Sequence, residues 1–234
     1  MLSGELLRNL LLMLLCYAYV ILVIFISGKL PSALHLSQKT SRKFLHAMIG
    51  NLPFVIPFFT SNIYPVLVAA PFILVTFLAS PYSPFKNSKL EGLANITEEG
   101  HPSGLVLYAV SYSLLALFFA AQPYVVAAGI LPMAYGDSAA SLVGEKCGKR
   151  RYNFVANKSL EGSIAMFSGS LLSLTIGLVF FSRFYPFQVS NVILATMTAV
   201  TITTLAEGIS PRGLDNFTVP MLGALTFLVL VGGI

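Results

Sequence analysis

Apolar runs of about 17 to 23 residues recur along the whole chain, each long enough to cross a hydrocarbon core roughly 30 Å thick. In lipid every backbone N–H and C=O must find its partner within its own segment, which leaves the α-helix as the spanning element. The sequence therefore predicts an all-α, polytopic membrane protein. A hydrophobic content of 56%, a charged content of 10% and a mean hydropathy of +0.82 exclude an ordinary soluble domain.

The runs predict about eight transmembrane helices, at 5–27, 43–60, 62–80, 103–120, 123–144, 160–182, 188–208 and 217–234, folded as a single domain over residues 1–234. Glu5 and Arg8 precede the first run, and no small-residue cleavage site stands ahead of Gly28 and Lys29, so it reads as a retained helix. Very short turns around Ser61 and Gln122 predict antiparallel hairpins. Loops are expected at 28–42, 81–102 and 145–159; the second, rich in Pro, Gly, Ser and Asn, reads as a loop or a short surface helix.

Alternating the sides of the helices places 12 of the 14 Lys and Arg residues at one face, leaving Arg8 and Arg183 at the other. By the positive-inside bias the basic face is cytoplasmic and both termini lie on the opposite side. Eight of the nine acids share that face, which the bias does not require. Topology thus accounts for the net charge of +5, and no nucleic-acid partner is implied. Cys16 and Cys147 lack metal-ligand spacing and read as reduced thiols.

The polar chemistry centres on residues 136–162, GDSAASLVGEKCGKRRYNFVANKSLEG. Asp137 sits well inside an apolar helix, where an uncompensated carboxylate costs about 2.5 to 3.5 kcal/mol. It shares a face with Ser141 and Glu145, beside a stripe of small residues (Gly136, Ala140, Gly144 and Gly148) that lets another helix approach closely. Asp137 either serves the site or pairs structurally with a basic loop residue. Lys146, Lys149, Arg150 and Arg151 act as topology determinants, anionic-lipid contacts or phosphate ligands. Lys158 differs: it precedes Ser159, an N-cap, so its ammonium and the free N–H groups of the next helix converge where a phosphate would bind. Glu161, in that first turn, either complements the helix dipole or joins a metal site.

Two further segments complete the pattern. TITTLAEGISPRGLDNFTVP carries Glu207, with Thr203 and Thr204 positioned to support it, and then Asp215 and Asn216, one of them a possible N-cap. SRKFLHAMIGN carries Arg42, Lys43 and His46, with His46 one turn after Arg42. Four acids (Asp137, Glu161, Glu207 and Asp215) beside a lysine suit a magnesium-bound phosphate ester. No GxxxxGKS/T loop, GxGxxG turn, HExxH or Gly-x-Ser-x-Gly elbow is present.

RKFLHAMIG, GDSAASLVGEKCGKRR with NKSLEGSIAM, and LAEGISPRGLDNFTVP, in that order over about residues 40–222, resemble the polyprenol kinase family, which includes dolichol kinase, phytol kinase and CTP-dependent diacylglycerol kinase. The resemblance implies a multi-pass enzyme that transfers the terminal phosphate of a nucleoside triphosphate, usually CTP, to a lipid alcohol in the bilayer, with Mg2+ or another divalent cation. It also implies that Asp137, the loop to Arg151, and Lys158, Ser159 and Gly162 form the nucleotide and metal region, closed by Glu207, Asp215 and Asn216. Arg42 and Lys43 join the phosphate ligands; Asp137 or His46 accepts the alcohol proton. The small-residue seam would admit the lipid hydroxyl sideways. A phosphatidate cytidylyltransferase and a transporter are the alternatives.

Overall fold

The computed structural model describes residues 4–84, 103–155, 157–211 and 213–232. Most of the expected 81–102 loop, with Lys86 and Lys89, and also Arg212, lie outside the described residues.

Among the described residues eight helices form the bundle: α1 (Gly4–Leu34), α2 (Gln38–Ile49), α3 (Ile63–Leu78), α4 (Gly104–Phe119), α5 (Pro123–Cys147), α6 (Leu160–Phe181), α7 (Val189–Ile209) and α8 (Asp215–Val231). Four of them, α1, α5, α6 and α7, are long and apolar enough to cross a membrane. The bundle is apolar on the outside as well as the inside: Leu15, Leu172 and Val229 are 65%, 64% and 57% exposed. Water would penalise that surface, whereas lipid accepts it.

α5 is the central helix, with 78% of its apolar stretch buried against 22% for α1. Its neighbours come very close. A Cβ on Gly129 would stand 2.4 Å from the Pro220 carbonyl oxygen of α8, so only glycine permits that contact. Halfway along, α5 passes through a π-helical segment at Pro132–Gly136 before resuming as α-helix at Asp137. Pro132 has no N–H to donate to the preceding turn, which weakens the regular ladder there.

The helix expected at 43–60 is instead two pieces, α2 and a 3-10 segment at Leu52–Phe58. Pro53 and Pro57 lack amide hydrogens, and Gly50 with Asn51 forms the break between the pieces. Together they still climb the height of α1. Asn9 Nδ2 donates to Thr60 Oγ1 at 2.6 Å, and Thr60 N donates to Asn9 Oδ1 at 3.0 Å. Phe58 meets Phe184 at the same end, with ring centroids 5.6 Å apart.

The expected 145–159 loop contains a two-stranded antiparallel hairpin, β1 (Arg151–Asn153) with β2 (Asn157–Ser159). Tyr152 pairs with Lys158 across it, and the Tyr152 hydroxyl meets Ser163 Oγ of α6 at 2.6 Å. The hairpin therefore stands against the bundle end and aims Lys158 inward.

Candidate active site

A polar cavity of about 540 Å³ opens at the end of the bundle opposite Asn9, Thr60 and Phe184. α2 contributes Lys39, Arg42 and Lys43; α5 contributes Asp137, Ser141 and Glu145; the hairpin supplies Arg151, Asn157 and Lys158. Ser159, Gly162 and Ser163 come from the start of α6, Glu207 from the end of α7 and Asp215 from the start of α8. Six elements thus converge on one space.

Ion pairs cross it between Lys43 and Asp137, between Lys158 and Glu207, and between Lys39 and Glu145. The first is buried, and there a charge without its partner is severely destabilising; in the second the Glu207 carboxylate is buried and Lys158 partly so. The third is about half exposed and contributes little. Asp137 therefore has a cation, but from α2 rather than from the adjacent basic loop. Ser138 Oγ donates to the Lys43 carbonyl oxygen at 3.1 Å and to the Ala134 carbonyl oxygen at 2.6 Å, fastening α2 to α5 beside that pair.

Burial pushes the Lys158 ammonium toward losing its proton, but Glu207, Asp137 and Asp215 act against this, and the net shift is above the usual lysine value. Lys158 is thus a permanent cation at neutral pH. Ser159 caps α6 as expected, its Oγ accepting from Gly162 N at 3.1 Å.

Several expected participants stand elsewhere. Glu161 faces solvent and accepts from the Lys149 N–H at 3.1 Å and the Arg150 N–H at 3.3 Å, which ties the basic loop to the first turn of α6. It does not line the cavity, nor do Lys146, Lys149 and Arg150. Thr203 and Thr204 donate to the Val200 carbonyl oxygen, at 3.0 and 2.8 Å, rather than to Glu207, which takes Lys158 instead. Asn216 lies behind the wall: its N–H donates to Asp215 Oδ1 at 2.9 Å and its Nδ2 donates to the Gly213 carbonyl oxygen at 3.2 Å, so it orients Asp215. His46 is also behind the wall, fully buried and stacked on Tyr108 with ring centroids 4.9 Å apart.

α6 packs on the small-residue seam. A Cβ on Gly136 would stand 2.1 Å from Ser170 Oγ, and one on Gly144 would stand 3.1 Å from Ser159 Oγ. Close approach was legible from the stripe: α6 packs against Gly136, while Ala140 and Gly144 also line the polar cavity. The expectations missed Lys39, Asn157 and Ser163. Lys39 lies one turn before Lys43 on the same face of α2, a signal the sequence did carry; Asn157 reaches the cavity through the hairpin and Ser163 through the first turns of α6.

Asp137, Glu207 and Asp215 provide hard oxygen donors of the kind that magnesium takes. Among the described residues no three His, Cys, Asp or Glu side chains are close enough to hold an ion by themselves. The donor set suits an ion that keeps one or two carboxylates and completes its shell with phosphate oxygens.

The fold and cavity define a helical membrane protein whose ionic groups are gathered at one end of an apolar bundle. Sequence comparison adds a family. The chain is 39% identical over 128 residues to the phytol kinase of Synechocystis sp., covering 53% of each protein. It is 30% identical over 207 residues to the probable phytol kinase 2, chloroplastic, of Oryza sativa subsp. japonica, covering 81% of this chain and 67% of that one. It is 29% identical over 211 residues to the dolichol kinase of Saccharomyces cerevisiae, covering 86% of this chain and 38% of the yeast protein. The chain thus spans from about two fifths to two thirds of the length of these relatives. It belongs to the polyprenol kinase family. No family model matches, and no solved structure matches.

Proposed function

We propose that this chain is a membrane-embedded lipid-alcohol kinase that transfers the terminal phosphate of a nucleoside triphosphate, CTP, to the hydroxyl of an isoprenoid alcohol such as phytol, dolichol or geranylgeraniol, or of diacylglycerol. The observation that carries this reading is the cavity itself: five cations and four carboxylates converge at one end of a lipid-facing bundle, in a chain related to proteins named phytol kinase and dolichol kinase. A polyisoprenoid alcohol does not leave the bilayer and a triphosphate does not enter it, so the two meet at such an end. That end is assigned to the cytoplasmic face, with both termini opposite.

The phosphates occupy the space between α2, β2 and the start of α6. Lys43, Lys158, Arg42 and Arg151 face them, and the capped first turn of α6 adds its dipole. Among the described residues the cavity lining carries a single surplus positive charge, which does not balance a triphosphate and is the physical reason for a divalent cation. Glu207 and Asp215 are the residues that would hold it, and it would spread the charge of the transferring phosphoryl group.

In the transfer, the alcohol oxygen bonds to the terminal phosphorus as the bond to the bridging oxygen breaks, and the nucleoside diphosphate departs. Lys43 leaves Asp137 for the incoming phosphates. Asp137, now unpaired on the cavity wall, accepts the alcohol proton; His46 is not on the wall.

Incubating membranes that contain the protein with CTP labelled at either the α or the γ phosphate tests the reading. Label in the lipid product only from the γ position is the expected result. Label from the α position would instead establish a cytidylyltransferase.

A further inference from the structure

The end of α5 and the hairpin after it carry residues that the ionic cavity does not use. Lys146, Lys149 and Arg150 are exposed and lie outside the cavity lining, and among the described residues none of the three side chains forms an ion pair. The acids beside them are engaged elsewhere: Glu145 pairs with Lys39, and Glu161 accepts from the Lys149 and Arg150 N–H groups. At the turn beyond β1 stand Phe154 and Val155, 77% and 56% exposed and likewise outside the lining. Tyr152 fixes where that turn lies. Its hydroxyl meets Ser163 Oγ of α6, and a Cβ on Gly208 of α7 would stand 3.0 Å from the same oxygen, so the ring rests across the ends of α6 and α7. Phe154, two residues on and therefore on the same face of the chain, has its ring centroid 5.8 Å from that of Tyr152. The face that touches the helices thus runs on past them into Phe154.

We infer that the hairpin is an interfacial anchor: Lys146, Lys149 and Arg150 hold the phosphate-bearing headgroups of anionic phospholipid in the bilayer around the bundle, and Phe154 and Val155 enter the acyl boundary beneath them. The inference goes beyond the proposed function and does not depend on it. Depth supports it. The Leu160 N–H donates to the Arg150 carbonyl oxygen at 2.9 Å, which sets the base of the hairpin level with the first residue of α6. Leu160 and Ile164, one turn apart and exposed, begin the lipid-facing stripe of α6 at that same level. Strands of three residues reach about 10 Å from their base, comparable with a headgroup layer of about 5 to 8 Å on each side of the hydrocarbon core. Chemistry supports it as well, because exposed apolar side chains bordered by unpaired Lys and Arg complement a surface that is apolar below and anionic above. Stability is the third reason: a two-stranded hairpin alone is marginal in water, and lipid beneath Phe154 adds to the support that Tyr152 finds on the bundle. Because Tyr152 pairs with Lys158 across the hairpin, the anchor also fixes the strand that presents Lys158 to Glu207.

The chain contains no tryptophan, so Phe154→Trp introduces a single reporter. The full-length variant is reconstituted in phosphatidylcholine vesicles with and without phosphatidylglycerol, and its indole is quenched by phospholipid brominated on the acyl chains. Blue-shifted, quenched emission is expected in the vesicles that contain phosphatidylglycerol, and emission from a water-exposed indole in those that do not. Adding Lys149→Gln or Arg150→Gln should lower the docked-to-free ratio about fivefold in the anionic vesicles, the effect of one cation near such a surface, and added salt should act in the same direction. Leu172→Trp, on the outward face of α6, should be quenched in both kinds of vesicle and so reports that the bundle is inserted. Where Phe154→Trp lowers the temperature of thermal unfolding, Val155→Trp repeats the measurement from the neighbouring position. An indole that stays in water while that of Leu172→Trp is quenched, equal quenching with and without phosphatidylglycerol, or quenching unchanged by Lys149→Gln and Arg150→Gln would overturn the inference.

Discussion

At the residue scale, Asp137 and Lys43 are each other's condition for being buried. Asp137→Asn leaves the Lys43 ammonium without its carboxylate, a loss of about 3 to 5 kcal/mol for a buried pair. It should also abolish phosphoryl transfer while membrane insertion persists. The two effects separate in the double variant Asp137→Asn/Lys43→Met, which should regain thermal stability without regaining activity; restored activity would remove Asp137 from the chemistry. Lys158→Ala should likewise abolish transfer. Arg183→Ala, exposed at the far end, should change neither activity nor stability measurably. Asp137 and Lys158 were legible because an acid inside an apolar helix and a lysine before a capping serine are costly or directional placements. The pairing of Asp137 with Lys43 was not, because 94 residues separate them and no local rule relates them.

The elements deliver those residues through caps and close contacts. Ser159→Ala removes the acceptor for the Gly162 N–H and should lower stability by about 1 kcal/mol, read from the shift in thermal unfolding. Gly136→Val should be far worse. Its Cβ would meet Ser170 Oγ at 2.1 Å and the Met166 carbonyl oxygen at 3.0 Å, so α6 must move away from α5 at a cost of about 1 to 3 kcal/mol or more. Gly4→Ala, whose Cβ would meet nothing within 4 Å, is the matched control and should be silent. Helix existence was legible nearly everywhere from apolar run length. The break between α2 and the 3-10 segment was not read, although Gly50, Pro53 and Pro57 announce it, because the hydrophobic run continues through them. The π-helical segment before Asp137 had only Pro132 as a signal, and a proline does not say which alternative turn the chain adopts.

For the whole molecule, orientation is the property most open to a direct test. Both cysteines are free; Cys16 is buried and Cys147 is exposed at the ionic end. A membrane-impermeant maleimide should therefore label Cys147 from the cytoplasmic side alone, and labelling from the opposite side would invert the assigned topology. The ends of the bundle were foreseeable because charge cannot rest in hydrocarbon: residues flanking long apolar runs are driven to one surface or the other, and their signs are written in the chain. By itself, the sequence determined an all-α membrane bundle, its polar end, and the family blocks that carry Asp137, Lys158, Glu207 and Asp215. Only the tertiary structure decided which charge neutralises which, that Glu161 and Asn216 support the site rather than line it, and that α6 is the helix packed against the glycine seam. The physical reason is range. Hydropathy and capping act over a few residues and are read along the chain, whereas ion pairing, close helix packing and cavities depend on how distant helices are rotated against one another.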